Sequence, residues 1–259
     1  MQTVLEQKKK NEDKNIIIVA LDFDDKQKAL ELVNKLDPNQ CRLKVGKEMF
    51  TLFGAEWVTL LINKDFDVFL DLKFHDIPNT VAKACVAAAK LGVWMVNVHA
   101  TGGREMMQVA QKALEEYYQK QKELNLTNET NVEVRKTLLI AVTILTSMNE
   151  ETFRELGYQR SLTEQVTHLA KIAQESGLDG VVCSAKEAEQ LTKVLGKSFA
   201  LVTPGIRPAN SSSDDQTRIM TPEKAILAGS SYLVIGRPIT QAPDPLKALC
   251  DISESLASL

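Results

Sequence analysis

Eight short runs of apolar and β-branched residues, each followed by a stretch of helical periodicity, pass through this chain of 259 residues. They fall at 16–23, 41–45, 68–74, 94–99, 137–145, 180–184, 200–204 and 232–236. Several are nearly continuous (IIIVAL, TLLIAVTIL, YLVIG), the pattern of parallel strands covered by helices rather than of strands with one face in water. Between them, Ala29, Leu32, Val33 and Leu36 make one helical stripe, and Val166, Leu169, Ala170 and Ala173 another. Helix starts are marked as well: Ser161-x-x-Glu164 and Ser184-x-x-Glu187 read as capping boxes, and Thr221-Pro222 as an N-cap with proline at the first helical position. Eight β–α repeats predict an α/β chain folded as a single (β/α)8 TIM barrel. The rival is a doubly wound open sheet, which usually carries a glycine-rich first turn; here the first run leads into Asp22-Phe-Asp-Asp. The length suits one barrel over 16–259, preceded by a polar extension over 1–15. The polar stretch 119–136 reads as a helix end and loop, because apolar periodicity resumes on both sides of it.

Composition narrows the functional classes. Hydrophobic residues are 44% and charged residues 25% of the chain, against a disordered or fibrous protein. Thirty-one basic and 34 acidic residues leave a formal charge of −3, so broad attraction to nucleic acid or to an acidic membrane is not expected. No apolar run approaches the ~20 residues of a membrane span, and no signal-peptide core follows the charged start. Cys41, Cys85, Cys183 and Cys250 are scattered, without a CxxC pair or histidines at ligand spacing. Reduced thiols, no metal site and a soluble cytoplasmic protein are the expectation.

In such a barrel the active site lies at the carboxyl ends of the strands, and polar or special residues stand at almost every one. Asp22, Lys44, Asp71 with Lys73, His99, Thr146, Pro204-Gly205 and Gly236-Arg237 all take such places. Asp71 and Lys73 are two apart on a strand and so point to one face. Burying a carboxylate beside an ammonium is costly unless the charges compensate one another. Lys44 offers a second ammonium and Asp76 a second carboxylate, enough for an alternating network. Salt bridges that merely hold strand register are the plainer reading of the same residues. At the other end of the chain, Gly205-Ile-Arg207 and Gly236-Arg237 follow the seventh and eighth runs, where barrels frequently bind phosphate, and Gln216 between them can add an amide. His75 and His99 fall near the mouth without metal spacing, and His99 reads as a hydrogen-bonded barrel residue. No Gly-x-Ser-x-Gly supports a serine hydrolase.

These residues resemble the orotidine 5′-phosphate decarboxylase family. Asp71-Leu-Lys73-Phe-His-Asp76-Ile77-Pro-Asn-Thr80 matches its Asp-x-Lys-x-x-Asp core. In order along the chain, so do Ala-Leu-Asp22, Leu-Lys44-Val-Gly, Thr-Ile-Leu-Thr146, Thr-Pro204-Gly-Ile-Arg207-Pro, Asp-Asp-Gln216-Thr-Arg and Ile-Gly236-Arg237. The resemblance covers nearly everything after the first fifteen residues. It implies decarboxylation of orotidine 5′-phosphate to uridine 5′-phosphate and CO2 without cofactor or metal, the last step of de novo uridylate synthesis. It further implies Lys73 as proton donor to C6 and Asp71 against the substrate carboxylate, with Lys44 and Asp76 completing the charged set. Asp22 and Lys44 would meet the ribose, Thr146 the pyrimidine, and Arg207, Gln216, Gly236 and Arg237 the phosphate, with Pro204 beside them. Asp76, Ile77 and Thr80 would come from the partner subunit of a homodimer, and the polar loop 208–217 would close as a lid. Two alternatives stand beside this: a Mg2+-dependent sugar-phosphate lyase of the same barrel superfamily, which Lys44 at a metal-ligand position opposes, and a non-catalytic nucleotide-phosphate sensor, which has no need of Lys73 between carboxylates.

Overall fold

The computed structural model describes residues 16–127, 135–208 and 220–259. Eight parallel strands close into a barrel in chain order: β1 (Ile17–Leu21), β2 (Arg42–Gly46), β3 (Val68–Phe74), β4 (Met95–His99), β5 (Leu138–Val142), β6 (Gly180–Val182), β7 (Ala200–Thr203) and β8 (Tyr232–Ile235), with β8 returning to pair with β1. Helices follow every strand, among them Lys26–Val33 after β1, Pro78–Lys90 after β3, Gly103–Thr127 after β4 and Leu162–Glu175 after β5. This is the expected (β/α)8 barrel.

Alternation along the strands builds two cores. On β1, Ile17, Val19 and Leu21 pack outward with Ala29, Leu32 and Val33 of the covering helix. Ile18 and Ala20 face the other way and join Phe69, Met95, Ile140, Val202 and Val234 in a smaller cluster that fills the barrel. The register sets Ala20 against Lys44 and Gly46 against Asp71. Continuing the same alternation upward, the inward positions become Asp22, Lys44, Asp71, Asn97 and Gly236, so the apolar filling gives way to polar groups at the carboxyl ends.

The opposite end of the barrel is closed by charge. Arg42 is 3% exposed; its Nε lies 3.1 Å from Asp67 Oδ2, and its guanidinium stacks 4.2 Å from the Trp94 ring and 5.3 Å from that of Tyr232. Arg135 also pairs with Asp67, its Nη2 donating at 2.9 Å. Two rings and a shared carboxylate repay the desolvation of a guanidinium that would otherwise be prohibitive there.

The helix-start signals hold. Ser161 and Glu164 form a reciprocal capping box, Ser184 and Glu187 form another at a short 3₁₀ turn, and Thr221 caps a helix that begins with Pro222. Strand ends agree within one or two residues except at β5. The run 137–145 is strand only to Val142, because its neighbour β6 ends at Val182 and a parallel ladder extends no further than its shorter partner. Thr143 returns both its N–H (3.2 Å) and its hydroxyl (3.1 Å) to the Val182 carbonyl, and Ile144 and Leu145 leave the sheet. The 119–136 stretch is helical through Thr127, as the reading of a helix end required.

Asp67→Ala leaves the Arg42 guanidinium buried without its counter-charge. Denaturant unfolding should show a loss of about 3–5 kcal/mol, with the chemistry at the far end of the barrel unchanged per folded molecule.

Candidate active site

The carboxyl ends of the strands surround a cavity of about 570 Å3, within the range of small-molecule sites. Ala20, Phe69 and Val234 form its floor; Asp22, Lys44, Asp71 and Lys73 line one wall. Pro204, Gly205, Arg207, Gly236 and Arg237 line the side that follows β7 and β8, with Gly236 beside Asp22, and Ile144 to Thr146 line the part that follows β5.

The charged wall is an alternating chain of acid and base. Asp71 Oδ1 accepts from Lys73 Nζ at 2.6 Å and from Asn97 Nδ2 at 2.7 Å; its Oδ2 lies 3.3 Å from Lys44 Nζ, which in turn is 3.5 Å from Asp22 Oδ1. The side chains of Asp71 and Lys44 are each 12% exposed and that of Lys73 24%, whereas Asp22 opens to solvent. Burial pushes the Asp71 carboxyl up, but Lys44 and Lys73 beside it outweigh burial and hold it below the usual carboxylate range. For Lys44, burial pulls the ammonium down and the Asp71 and Asp22 carboxylates overcome it, so its pKa is raised. Both groups are therefore charged at neutral pH inside a largely dry wall.

Lys73 stands where the ladder breaks. The β3–β4 register shifts between Leu70 and Phe74, and Lys73 adopts a left-handed backbone with φ of 53°. For a non-glycine residue this costs about 1–2 kcal/mol. Its freed N–H donates to Asn97 Oδ1 at 2.8 Å.

The side after β7 and β8 suits an anion. Gly205, at φ 77°, turns the chain out of β7. Arg207 N–H then donates to the Met220 carbonyl at 3.0 Å, and Met220 N–H to that of Gly205 at 3.4 Å, so both ends of the intervening segment are joined beside the cavity. Arg207 is buried and its Nη1 donates to the Ile206 carbonyl at 3.1 Å, while Arg237 opens the short helix after β8. Two arginines beside turning backbone make an arrangement chemically suited to an anion.

Comparison with known proteins agrees with this geometry. Residues 15–252 match the model of the orotidine 5′-phosphate decarboxylase / HUMPS family. The chain belongs to this family. It is 59% identical over 240 residues to the orotidine 5′-phosphate decarboxylase of Pseudoalteromonas translucida (strain TAC 125), covering 93% of this chain and 96% of that one. The enzyme of the same name from Salmonella paratyphi A (strain ATCC 9150 / SARB42) is 55% identical, with 93% and 92% covered. Among solved structures, orotidine 5′-phosphate decarboxylase from Lactobacillus acidophilus superposes with a TM-score of 0.79 at 39% identity, over 93% of this chain and 99% of that one.

Within this family member, Asp22, Lys44, Asp71, Lys73, Thr146, Pro204, Arg207, Gly236 and Arg237 all line the one cavity. Asp76, Ile77 and Thr80 do not. They stand exposed at the start of the helix Pro78–Lys90, and Asp76 Oδ1 accepts from the Ile77 N–H at 2.7 Å. Within one chain, the second carboxylate against Lys44 is therefore Asp22 and not Asp76. Gln216 and all but the first residue of the loop 208–217 lie outside the described residues. His99 departs from expectation: its ring packs 5.5 Å from that of His75 and makes no hydrogen bond among the described residues. Asn97 was not among the sequence candidates, although an amide inside the apolar run MVNVH, with the inward parity of β4, was the available signal. Among the described residues, no group of three or more His, Cys, Asp or Glu side chains is placed to hold a metal ion.

Burial, then His75, Lys47 and Lys73, lower the pKa of His99 from 6.5 to about 4. The unfolded chain thus binds a proton before the folded one does, so this contribution to stability is complete above pH 6.5 and is lost as pH falls toward 4. Thermal melting of the wild type followed from pH 7 to pH 4 should decline accordingly, and His99→Asn should flatten that part of the decline.

Proposed function

We propose that the cavity decarboxylates orotidine 5′-phosphate to uridine 5′-phosphate and CO2, the last step of de novo uridylate synthesis. The observation that carries the reading is the Lys73 ammonium held 2.6 Å from Asp71 within a largely buried wall, in one cavity with Arg207 and Arg237. Loss of CO2 from C6 leaves an electron pair in the plane of the pyrimidine, where the ring π system cannot spread it. An ammonium about 4 Å from that pair stabilises it by roughly 4 kcal/mol at an effective dielectric near 20, and more where water is excluded. Lys73 then gives its proton to C6. Because the charge is already in place before the reaction, no cofactor is needed as electron sink.

The remaining residues divide along the substrate. Asp71 faces the departing carboxylate, Asp22 and Lys44 meet the ribose, and Thr146 the pyrimidine. Pro204, Arg207, Gln216, Gly236 and Arg237 surround the phosphate, whose binding energy is available to orient the ring and close the loop 208–217. Asp76, Ile77 and Thr80 belong to a second copy of the chain, the protein acting as a homodimer with its sites shared. The 67% exposure of Ile77, an apolar side chain beside the mouth, supports this. Residues 1–15, read from the sequence as a polar extension, lie outside the described residues. Action in the cytoplasm fits the buried free thiols of Cys41, Cys85 and Cys183. No described helix is long and apolar enough to cross a membrane.

Purified protein should release CO2 from orotidine 5′-phosphate at a rate indifferent to chelator. Lys73→Ala should lower that rate by about 10³-fold or more. A folded protein that binds uridine 5′-phosphate yet releases no CO2 would leave the sensor reading. Arg237→Ala should act differently, raising KM about 10–100-fold through the lost phosphate contact. For the shared site, inactive Lys73→Ala and Asp76→Ala chains refolded together should recover about a quarter of wild-type activity. Half of random twofold dimers are mixed, and each mixed dimer rebuilds one of its two sites. No recovery from mixed dimers would place Asp76 in its own chain's site.

A further inference from the structure

The wall that holds Lys73 depends on a side chain that touches no part of the cavity. Asn97, on β4, is fully buried, and both ends of its amide are used on the neighbouring strand. Its Nδ2 donates to Asp71 Oδ1 at 2.7 Å, and its Oδ1 accepts from the Lys73 N–H at 2.8 Å. The two bonds define the amide's orientation, since a carboxylate can only accept and a backbone N–H can only donate. They also reach the two features that make this wall unusual: the oxygen of Asp71 that receives the Lys73 ammonium, and the left-handed residue at which the β3–β4 ladder breaks. An unpaired N–H at that break would be a buried, unsatisfied donor. An apolar residue at position 97 would leave it so and would free the carboxylate to rotate.

We propose that Asn97 is a positioning residue, which sets the Asp71 carboxylate and the Lys73 backbone in register so that the ammonium is aimed at the carbon losing CO2. The inference rests on the decarboxylase reading and deepens it. Asn97 meets neither substrate nor reacting atom; it acts by removing two freedoms, rotation of the carboxylate and flattening of the Lys73 backbone. An alternating charge wall tolerates little misplacement, because its contribution is greatest when the ammonium needs no rearrangement as the negative charge develops. Phosphate and ribose contacts come from other strands, so ground-state binding is independent of this residue.

The test compares Asn97→Leu, which keeps the branched shape without the polar atoms, and Asn97→Ser, which supplies a hydroxyl able to donate and accept, with the wild type. Uridine 5′-phosphate and a uridylate bearing an ionised oxygen on C6 serve as binding probes. For Asn97→Leu, kcat should fall about 10–100-fold with KM changed less than threefold. Uridine 5′-phosphate should bind at full stoichiometry with near wild-type affinity, while affinity for the C6 anion falls in parallel with kcat. Asn97→Ser should recover part of both losses. A kcat within threefold of wild type in both variants overturns the proposal. So does a loss confined to binding stoichiometry or folded fraction, with the C6 anion bound normally by the remaining sites; Asn97 is then only packing. If Asn97→Leu does not fold, Asn97→Ser alone decides, by whether its kcat and C6-anion affinity fall together while uridine 5′-phosphate binding stays intact. Failure of the underlying reading looks different: the wild type itself releases no CO2.

Discussion

Closure of eight parallel strands forces every second residue of each strand into one shared interior. Once Ala20, Phe69, Met95 and Val234 are committed to filling it, the residues two positions further on each strand follow them on the inward side. Asp22, Asp71 and Gly236 thus reach the mouth beside Lys44 of β2, with Asn97 buried just behind them. Residues spread over most of the chain thus become neighbours through the same alternation that builds the core.

The interior also sorts its charges by end. At the closed end, Arg42 is buried against two aromatic rings and Asp67. At the open end, Lys44 and Lys73 share Asp71, and Lys44 leans on an exposed Asp22. Both are compensated ionic groups in a poorly solvated place, and the second borders the cavity of about 570 Å3. Compensation keeps Asp71 and Lys44 ionised, so the cavity is bordered by charges already desolvated and already oriented. In the proposed reaction, attraction between the arginines and the phosphate would offset repulsion between Asp71 and the substrate carboxylate.

Much of this was legible in the residue order. Continuous apolar runs with helical stripes between them specify parallel strands hidden on both faces, and eight such repeats without a glycine-rich first turn favour a barrel over an open doubly wound sheet. Asp71 and Lys73 could be placed together from a spacing of two, and Arg207 and Arg237 from glycines at strand ends. Other features were out of reach. The end of β5 depends on where β6 stops, a property of the neighbouring strand. His99 was expected to make a hydrogen bond, but its surroundings are the His75 ring and cations brought from other segments. Asp76 is three residues from Lys73 and still does not line the cavity of its own chain, because the chain has by then turned toward the helix at Pro78.

By itself the sequence determined the architecture, the family and the residue types at the mouth, since periodicity and spacing are local properties and the motif residues keep their order along the chain. Only the tertiary structure decided which carboxylate stands against Lys44, that an asparagine on β4 ties Asp71 to the backbone of Lys73, and that a guanidinium seals the far end of the barrel. Each of these is a contact between strands, set by register and barrel closure to within an ångström, and hydrogen bonds and charge compensation are sensitive on that scale.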